Sequence, residues 1–96
     1  MQRMTDLTRT DKIRIRLEAE FDPTALEVED DSHHHAGHAG AAGGMGHFSV
    51  RIVSAQFVGL SAVARHRRVY AALTDLLKTD VHALAIDARA PGDLSR

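Results

Sequence analysis

Seven histidines among 96 residues are the feature of this sequence most able to carry chemistry. Four of them fall within six positions, at His33, His34, His35 and His38. Imidazole is the commonest metal ligand in proteins, and the neighbouring glycines give a loop the freedom to bring a ring to a metal. On composition alone the segment is a candidate metal site, and a solvated loop of no special chemistry is an equally open interpretation.

Two further histidines lie on predicted strands. His82 is one position into an apolar run over residues 81–86, on the same face as Leu84 and Ile86. One role for His82 is that of a metal ligand, and the alternative is that of a core histidine that hydrogen-bonds a backbone carbonyl. His47 begins an earlier strand and is a further candidate ligand if its hairpin brings that end near His82.

Several other kinds of site are excluded. The chain contains no cysteine, which excludes disulfides, a thiol nucleophile and a metal cluster held by its own thiolates. The histidine triplet lacks the H-E-x-x-H spacing of zinc proteases, and neither nucleotide-binding glycine motif occurs. Asp30, Asp31 and Ser32 lack the surrounding groups that acid–base or nucleophilic catalysis needs. We therefore expect a protein that is not an enzyme.

A basic run, Arg65-His66-Arg67-Arg68, opens a predicted helix and could contact phosphates. The alternative is ordinary solvated helix surface. The chain has 12 Lys and Arg against 13 Asp and Glu, a formal net charge of −1, so its overall charge does not mark a nucleic-acid or membrane binder. His66 falls on the apolar stripe of this helix and is expected to be structural.

Length and composition predict one small globular domain. Hydrophobic residues make up 44% of the chain and charged residues 26%, close to the globular average. Residues 1–12 are polar, so we expect no secretory signal. No apolar run approaches the roughly 18 residues that span a bilayer, and we expect a cytoplasmic protein that does not enter a membrane.

The first element is ambiguous. Residues 12–18 alternate in polarity as a strand would, yet Ile13, Leu17 and Phe21 recur at the spacing of a helix. We predict a helix over about residues 6–20, ended by Pro23. Its candidate N-caps are Thr5, Thr8 and Thr10.

Two alternating strands follow, over residues 26–29 and 47–54, and predict an antiparallel hairpin. Between them lies the loop of residues 32–46, in which histidine, glycine and alanine predominate. The tail from Arg89 onward, with residues 91–96 flexible, reads as a frayed end.

Residues 61–78 predict two helices, begun by Ser61 as N-cap and separated by a bend near Arg65 and His66. Their apolar stripe contains Val63, Val69, Tyr70, Leu73, Leu76 and Leu77. The near-continuous apolar run at 81–86 predicts a strand well covered by neighbours. A helical crossover between two strands favours their parallel pairing, and the order is α-β-β-α-α-β.

Seven short strings, spread over nearly the whole chain from about Ile13 to Pro91, resemble the BolA family in order and spacing. They are Leu26-Glu27-Val28, Asp31-Ser32-x-x-His35, Gly46-His47-Phe48-x-Val50, Ile52-Val53-Ser54, Phe57-x-Gly59-x-Ser61, Arg65-His66-Arg67-x-Val69-Tyr70 and Val81-His82-Ala83-Leu84. The last two blocks are specific together, whereas each alone is weak. The chain is similar to the BolA proteins whose loop carries a histidine.

This resemblance implies an α+β fold similar to class II KH domains, with a three-stranded mixed sheet and helices packed on one face. It implies a single domain over residues 1–96 with its core at about 6–90. BolA proteins pair with monothiol glutaredoxins, and the pair holds a bridged 2Fe–2S cluster. We therefore expect a role in iron–sulfur cluster assembly or trafficking, as a heterodimer with glutaredoxin. The isolated chain is expected to be a monomer without a cofactor.

The resemblance also implies the ligands. The family's C-terminal histidine falls on His82, and its acidic-Ser-x-x-His pattern falls on His35. The loop here is a few residues longer, and Met45-Gly46 replaces an acidic-Thr/Ser pair. The alternate ligands are His33, His34, His38 and His47. Two imidazoles would then hold one iron, and a glutaredoxin cysteine with a glutathione thiol would hold the other, which resembles the division of ligands in Rieske clusters.

The alternative function is that of a DNA-binding transcriptional regulator. Some BolA proteins are described as stress-response regulators, and KH-like folds bind nucleic acid. The contact surface for DNA or for a protein partner would be Arg65, Arg67 and Arg68. The segment from Val58 to Ser61 stands where a KH domain has its G-x-x-G loop, but it lacks the second glycine.

Overall fold

A computed structural model of the chain describes residues 8–31 and 46–93. The elements are α1 (Arg9–Phe21), β1 (Ala25–Asp30), β2 (Gly46–Val53), α2 (Ala62–Ala72), α3 (Thr74–Thr79) and β3 (Val81–Arg89), with a 3-10 turn at Ala55–Phe57. The predicted order of helices and strands is confirmed, and the 3-10 turn is an addition to it. None of the helices in the described ranges is long and apolar enough to cross a membrane.

Helix α1 starts at a capping box formed by Thr8 and Asp11. The Thr8 hydroxyl accepts a hydrogen bond of 3.0 Å from the Asp11 backbone N–H, and the Asp11 carboxylate accepts one of 3.2 Å from the Thr8 N–H. These bonds satisfy two N–H groups that a helix start otherwise leaves without partners. The helix ends at Asp22, whose φ of 44° is left-handed, directly before Pro23. Within the described residues the helix begins at Arg9, and residues 6 and 7 of the predicted helix lie outside them.

The hydrophobic core lies between the helices and one face of the sheet. Ile13, Leu17 and Phe21 of α1 are all at most 1% exposed, which confirms the helix over the alternative strand. The buried residues of the other elements include Phe48, Val50, Ile52, Val69, Leu73 and Leu76. Burying one such side chain contributes about 1.5–3 kcal/mol to stability. Because the cluster contains residues of the helices and of β2, this burial stabilises the packing of the helices on the sheet.

The three-stranded sheet has the order β1-β2-β3, with β2 in the centre. Strands β1 and β2 are antiparallel, with Leu26 opposite Ile52 and Val28 opposite Val50. Strands β2 and β3 are parallel, so the predicted mixed sheet is confirmed. The expectation that β3 is well covered is wrong, because β3 is an edge strand and its residues Ala83 and Ala85 are exposed.

The bend between the two last helices lies at Leu73 and not, as predicted, near Arg65 and His66. Helix α2 begins at the predicted N-cap, since the Ser61 hydroxyl accepts a 3.1 Å hydrogen bond from the Ala64 N–H, and it continues through Arg65 and His66. At the bend, the Thr74 hydroxyl donates a 2.9 Å hydrogen bond to a carbonyl of the last turn of α2. This side-chain bond satisfies a carbonyl of the last turn of α2 at the point where α2 ends and α3 begins.

The chain beyond β3 has defined contacts where a frayed end was predicted. Arg89 is the last residue of β3, and Ala90 is 4% exposed. The Asp93 carboxylate accepts hydrogen bonds of 2.9 Å from the Ala90 N–H and 2.7 Å from Arg65. The prediction is therefore wrong for residues 89–93, and residues 94–96 lie outside the described part.

Candidate metal centre

Two histidine rings lie side by side at one end of the sheet. His47 is the second residue of β2, and His82 is the second residue of β3. The two strands are parallel, so their starts meet at the same end. The ring centroids are 5.2 Å apart, and the ring planes are inclined by 56°. The parallel pairing brings the two together, whereas the sequence had suggested the hairpin.

A β-bulge turns His82 toward solvent. Gly46 lies opposite Val81, but the next residue of β2, His47, lies opposite Ala83. His82 is therefore the additional residue of β3. Val81 is 1% exposed, and His82 beside it is exposed.

This bulge overturns both sequence-based placements of His82. Without it, His82 would share the inward face of β3 with Leu84 and Ile86, which do pack against the core. The additional residue shifts the alternation by one, so the His82 side chain leaves that face. The core-histidine alternative is wrong for the same reason.

His47 is half-buried and fixed by the end of β1. Its ring nitrogen Nε2 is shielded from solvent. The Asp31 backbone N–H donates a 2.7 Å hydrogen bond to the His47 carbonyl, and the Ser49 hydroxyl donates to the Asp31 carboxylate. Asp31 and His47 line one shallow hollow on the sheet together with Ala83. The ring of His47 is therefore half-buried, and the ring of His82 is accessible to solvent.

Asp80 contacts the N-terminal ends of both β2 and β3. Its carbonyl accepts a 3.0 Å hydrogen bond from the Gly46 N–H. Its carboxylate lies 3.2 Å from Lys12 Nζ and 3.5 Å from Arg9 Nε, both on α1. A hydrogen bond from the Thr79 hydroxyl, together with Lys12 and Arg9, holds the pKa of Asp80 below its ordinary value.

The two rings have the spacing of two imidazoles on one metal ion. Two imidazoles that bind a tetrahedral ion at about 2.0–2.1 Å have ring centroids about 5 Å apart, close to the 5.2 Å between His47 and His82. Imidazole suits iron, zinc and copper. Within residues 8–31 and 46–93, no group of three or more His, Cys, Asp or Glu side chains could hold a metal. The distance between the two rings therefore matches that of two ligands of a tetrahedral set, and the other ligands would come from outside this pair.

The predicted loop ligands His33, His34, His35 and His38 lie outside the described residues. The described residues that flank them are Asp31 and Gly46. Asp31 bonds to His47, and Gly46 bonds to Asp80. Asp31 and Gly46 therefore lie at the same end of the sheet as His82.

The predicted basic surface divides into residues with different roles. Arg65 is an internal clamp, since it donates hydrogen bonds of 3.0 Å to the Leu60 carbonyl and 3.1 Å to the Ala88 carbonyl. It also pairs with Asp93 at 2.7 Å. Its side chain is 15% exposed, which contradicts the alternative of ordinary solvated surface for this residue.

Arg68 is likewise engaged within the protein. It donates hydrogen bonds of 2.7 Å to the Gln56 side chain and 3.4 Å to the Gln56 carbonyl. Its guanidinium lies 5.3 Å from the centre of the Phe21 ring, a cation–π contact. Of the three arginines, Arg67 is the exposed one that the described part of the chain leaves without a side-chain hydrogen bond or ion pair.

A second face of α2 was missed by the sequence reasoning. Val63 and Tyr70 are 59% and 39% exposed, although the sequence placed both on the buried stripe. They line a shallow groove together with Ala62, His66 and Arg67. His66 is thus exposed and not structural. The spacing of Val63, His66 and Tyr70 along the helix is the signal that could have separated this face from the buried one.

The chain matches the family model described as "BolA-like protein" over residues 17–93. In structure it is similar to the BolA domain of SufE1 from Arabidopsis thaliana, with a TM-score of 0.80 and 48% identity. That similarity covers 92% of this chain and 98% of the other.

Relatives with curated names differ in length from this chain. SufE-like protein 1 of Arabidopsis thaliana, named chloroplastic/mitochondrial, is 50% identical over 86% of this chain and 24% of its own length. Protein BOLA1 of the same plant, named chloroplastic, is 43% identical over 88% of this chain and 55% of its own. The chain thus spans about a quarter to a half of these two. The cytoplasmic location stays a prediction.

A bacterial relative has a different kind of name. The DNA-binding transcriptional regulator BolA of Escherichia coli is 42% identical over 79% of this chain and 70% of its own length. The names of these relatives denote family proteins or a regulator rather than the catalyst of a reaction.

Proposed function

The chain belongs to the BolA family, and we propose that it supplies histidine ligands to a 2Fe–2S cluster shared with a monothiol glutaredoxin. The observation that carries this proposal is the histidine pair at the end of the sheet, with 5.2 Å between the ring centroids. Since the chain has no cysteine, the thiolates come from the glutaredoxin and from glutathione. The cluster is cargo that the pair of proteins assembles or passes on.

His82 is the ligand that the bulge presents to a partner. The second ligand is His35, by resemblance to the family, or His47, by its distance from His82. The alternates His33, His34 and His38 belong to the same loop as His35. Two neutral imidazoles on one iron add no charge, and such a ligand set raises the reduction potential relative to four thiolates. Because imidazole must be deprotonated to bind a metal, we expect the cluster to be lost at acid pH.

The proposal is tested by reconstituting the complex from this chain, a monothiol glutaredoxin, glutathione, iron and sulfide. We expect wild type to give visible absorption and circular dichroism bands that differ from those of glutaredoxin alone. His82→Ala should abolish these bands while the two proteins still associate. His66→Ala is the matched control, because His66 is an exposed histidine on α2, and it should behave as wild type.

The isolated chain provides a second test. With only histidines as cluster ligands, we expect it to be a colourless monomer when purified without glutaredoxin. A stable brown protein, with iron and sulfide in equal amounts and no partner present, would contradict the proposal that the cluster is shared.

DNA-binding regulation is the alternative function, and the name of the Escherichia coli relative favours it. The structure offers Arg67 for phosphate contact, but Arg65 and Arg68 bond within the protein. We therefore expect weak binding to duplex DNA that falls steeply as salt increases. Tight, sequence-selective binding that Arg67→Glu removes, with no affinity for glutaredoxin, would replace the first proposal with this one.

A further inference from the structure

We propose that Asp80 is a positioning residue that holds His47 and His82 at their mutual distance by fastening the starts of β2 and β3 to helix α1. Its relevance to a metal rests on the proposed function. Its effect on the two rings can be measured without metal or partner.

The backbone of Asp80 joins three elements at one point. Its N–H donates a 2.7 Å hydrogen bond to the Leu76 carbonyl of α3, and its carbonyl accepts a 3.0 Å bond from Gly46. The bulge lies immediately beyond, between the pairs Gly46–Val81 and His47–Ala83. The backbone of Asp80 is therefore held by hydrogen bonds two residues before His82, where the register between β2 and β3 changes.

The side chain of Asp80 ties this point to the first turns of α1. The carboxylate accepts from Lys12 Nζ at 3.2 Å and from the Thr79 hydroxyl at 2.5 Å, and Arg9 Nε lies at 3.5 Å. The Asp80 side chain is only 15% exposed, whereas Arg9 and Lys12 are 41% and 40% exposed. A shielded carboxylate with one cationic donor, one neutral donor and a second cation nearby fixes geometry better than a solvated pair does.

The fixed point matters because the bulge decides which way His82 faces. If β3 were to slip by one residue, its side chains would exchange faces, and His82 would turn toward the core face. Asp80 holds α1, β2 and β3 together at the residue where such a slip would begin. The distance between the two histidine rings therefore depends on the position of α1 against the starts of β2 and β3.

A second ion pair serves as a control. Arg16 Nη2 and Asp75 Oδ2 lie 3.3 Å apart and also link α1 with α3. The Asp75 side chain is 74% exposed and lies within α3 rather than at the root of β3. Loss of this pair removes a contact between α1 and α3 and leaves the Asp80 carboxylate with Lys12 and Arg9 in place.

The experiment compares Asp80→Ala with Asp75→Ala in the isolated, metal-free chain by NMR. We expect a nuclear Overhauser effect between the ring protons of His47 and His82 in wild type and in Asp75→Ala. In Asp80→Ala it should be at least about threefold weaker, because a loosened support displaces side chains by about 1 Å and the effect falls with the sixth power of distance. Equal intensity in all three proteins would overturn the proposal.

If Asp80→Ala does not fold, substitutions of Lys12 test the positioning role of Asp80 instead. Lys12→Met removes one donor to the carboxylate, and Lys12→Arg retains the charge. We expect the ring-to-ring effect to weaken in Lys12→Met and to recover in Lys12→Arg, both with a native backbone spectrum. An equal loss in Asp75→Ala would mean a general loss of stability and would also overturn the positioning role.

The reconstituted glutaredoxin complex separates this proposal from the proposed function. If wild type forms the histidine-ligated cluster, Asp80→Ala should shift its electron paramagnetic resonance spectrum, and Asp75→Ala should not. If wild type forms no such cluster while the ring-to-ring effect still depends on Asp80, the proposed function fails and the positioning role stands.

Discussion

The Tyr70 hydroxyl donates a 3.2 Å hydrogen bond to the carbonyl oxygen of Leu84, two residues beyond His82 on the edge strand. Arg65 bonds the Ala88 carbonyl of the same strand at 3.1 Å. Helix α2 thereby fastens β3 at two points along its length. An edge strand with such partners presents fewer unpaired groups to other chains, and His82 gains a rigid support.

Removal of the Tyr70 hydroxyl should loosen β3 without disturbing the core. Tyr70→Phe keeps the ring and deletes only the bond to Leu84, so we expect a loss of about 0.5–1.5 kcal/mol in the free energy of unfolding. Urea unfolding measures this loss, and amide exchange should accelerate in β3 more than in β1. An unchanged free energy of unfolding would show that the bond is replaced by water at no cost.

Two neighbouring arginines should differ sharply in their effect on stability. Arg65→Ala removes the side-chain donor to the Leu60 and Ala88 carbonyls and one of the two donors to the Asp93 carboxylate, and we expect a loss of about 1–3 kcal/mol. Arg67→Ala should remain within about 0.5 kcal/mol of wild type, as exposed substitutions usually do. Thermal and urea unfolding of both variants test this. Equal destabilisation by both variants would contradict the assignment of Arg65 to internal hydrogen bonds and of Arg67 to the exposed surface.

Helix α1 offers a matched pair of core and surface positions. Leu17 is fully buried, whereas Ile15, two residues earlier, is 44% exposed. We expect Leu17→Ala to cost about 2–5 kcal/mol, because it removes buried surface and leaves a cavity. Ile15→Ala should cost much less. Similar losses for both variants in urea unfolding would contradict the orientation of α1 in which Leu17 faces the core and Ile15 faces solvent.

Stability should fall in acid because several carboxylates have lowered pKa values. The pKa of Asp93 is lowered by its hydrogen bond from Arg65, that of Asp87 by its bond from Arg89, and that of Asp80 by its bond from Thr79. A carboxyl with a lowered folded-state pKa stabilises the protein above its ordinary pKa of 3.8 and loses this effect as the pH falls through the folded value.

Asp93→Asn isolates one of these contributions. We expect wild type to be more stable than the variant at pH 6 and the difference to shrink as the pH falls below about 4. Urea unfolding at a series of pH values measures it. A difference that stays constant down to pH 2 would mean that the charge of Asp93 contributes nothing.

The elements with a regular period could be predicted from the sequence. Ile13, Leu17 and Phe21 recur at helical spacing with a capping threonine before them, and Phe48, Val50 and Ile52 alternate as a strand does. These local patterns decide burial because each element has one face on the core. The clustering of histidines made the loop a candidate metal site, the family resemblance assigned His35, and the loop histidines lie outside the residues that the structure describes.

The bulge at His82 could not be predicted, because it depends on how β3 pairs with a strand two helices earlier in the chain. The alternation of apolar residues carries no sign of the additional residue. For the same reason the sequence placed His82 with Leu84 and needed the hairpin to bring His47 near it. On helix α2 the prediction merged two apolar faces into one stripe, although the helical spacing of Val63, His66 and Tyr70 sets that face apart from Val69.

Pulsed electron paramagnetic resonance shows whether a nitrogen of His82 binds iron in the glutaredoxin complex. The chain is labelled with ¹⁵N-histidine, combined with unlabelled glutaredoxin, and the cluster is reduced. We expect strong ¹⁵N coupling in wild type and in His66→Ala, and the loss of one such coupling in His82→Ala. A wild-type cluster without ¹⁵N coupling, or one whose coupling survives unchanged in His82→Ala, would contradict the account.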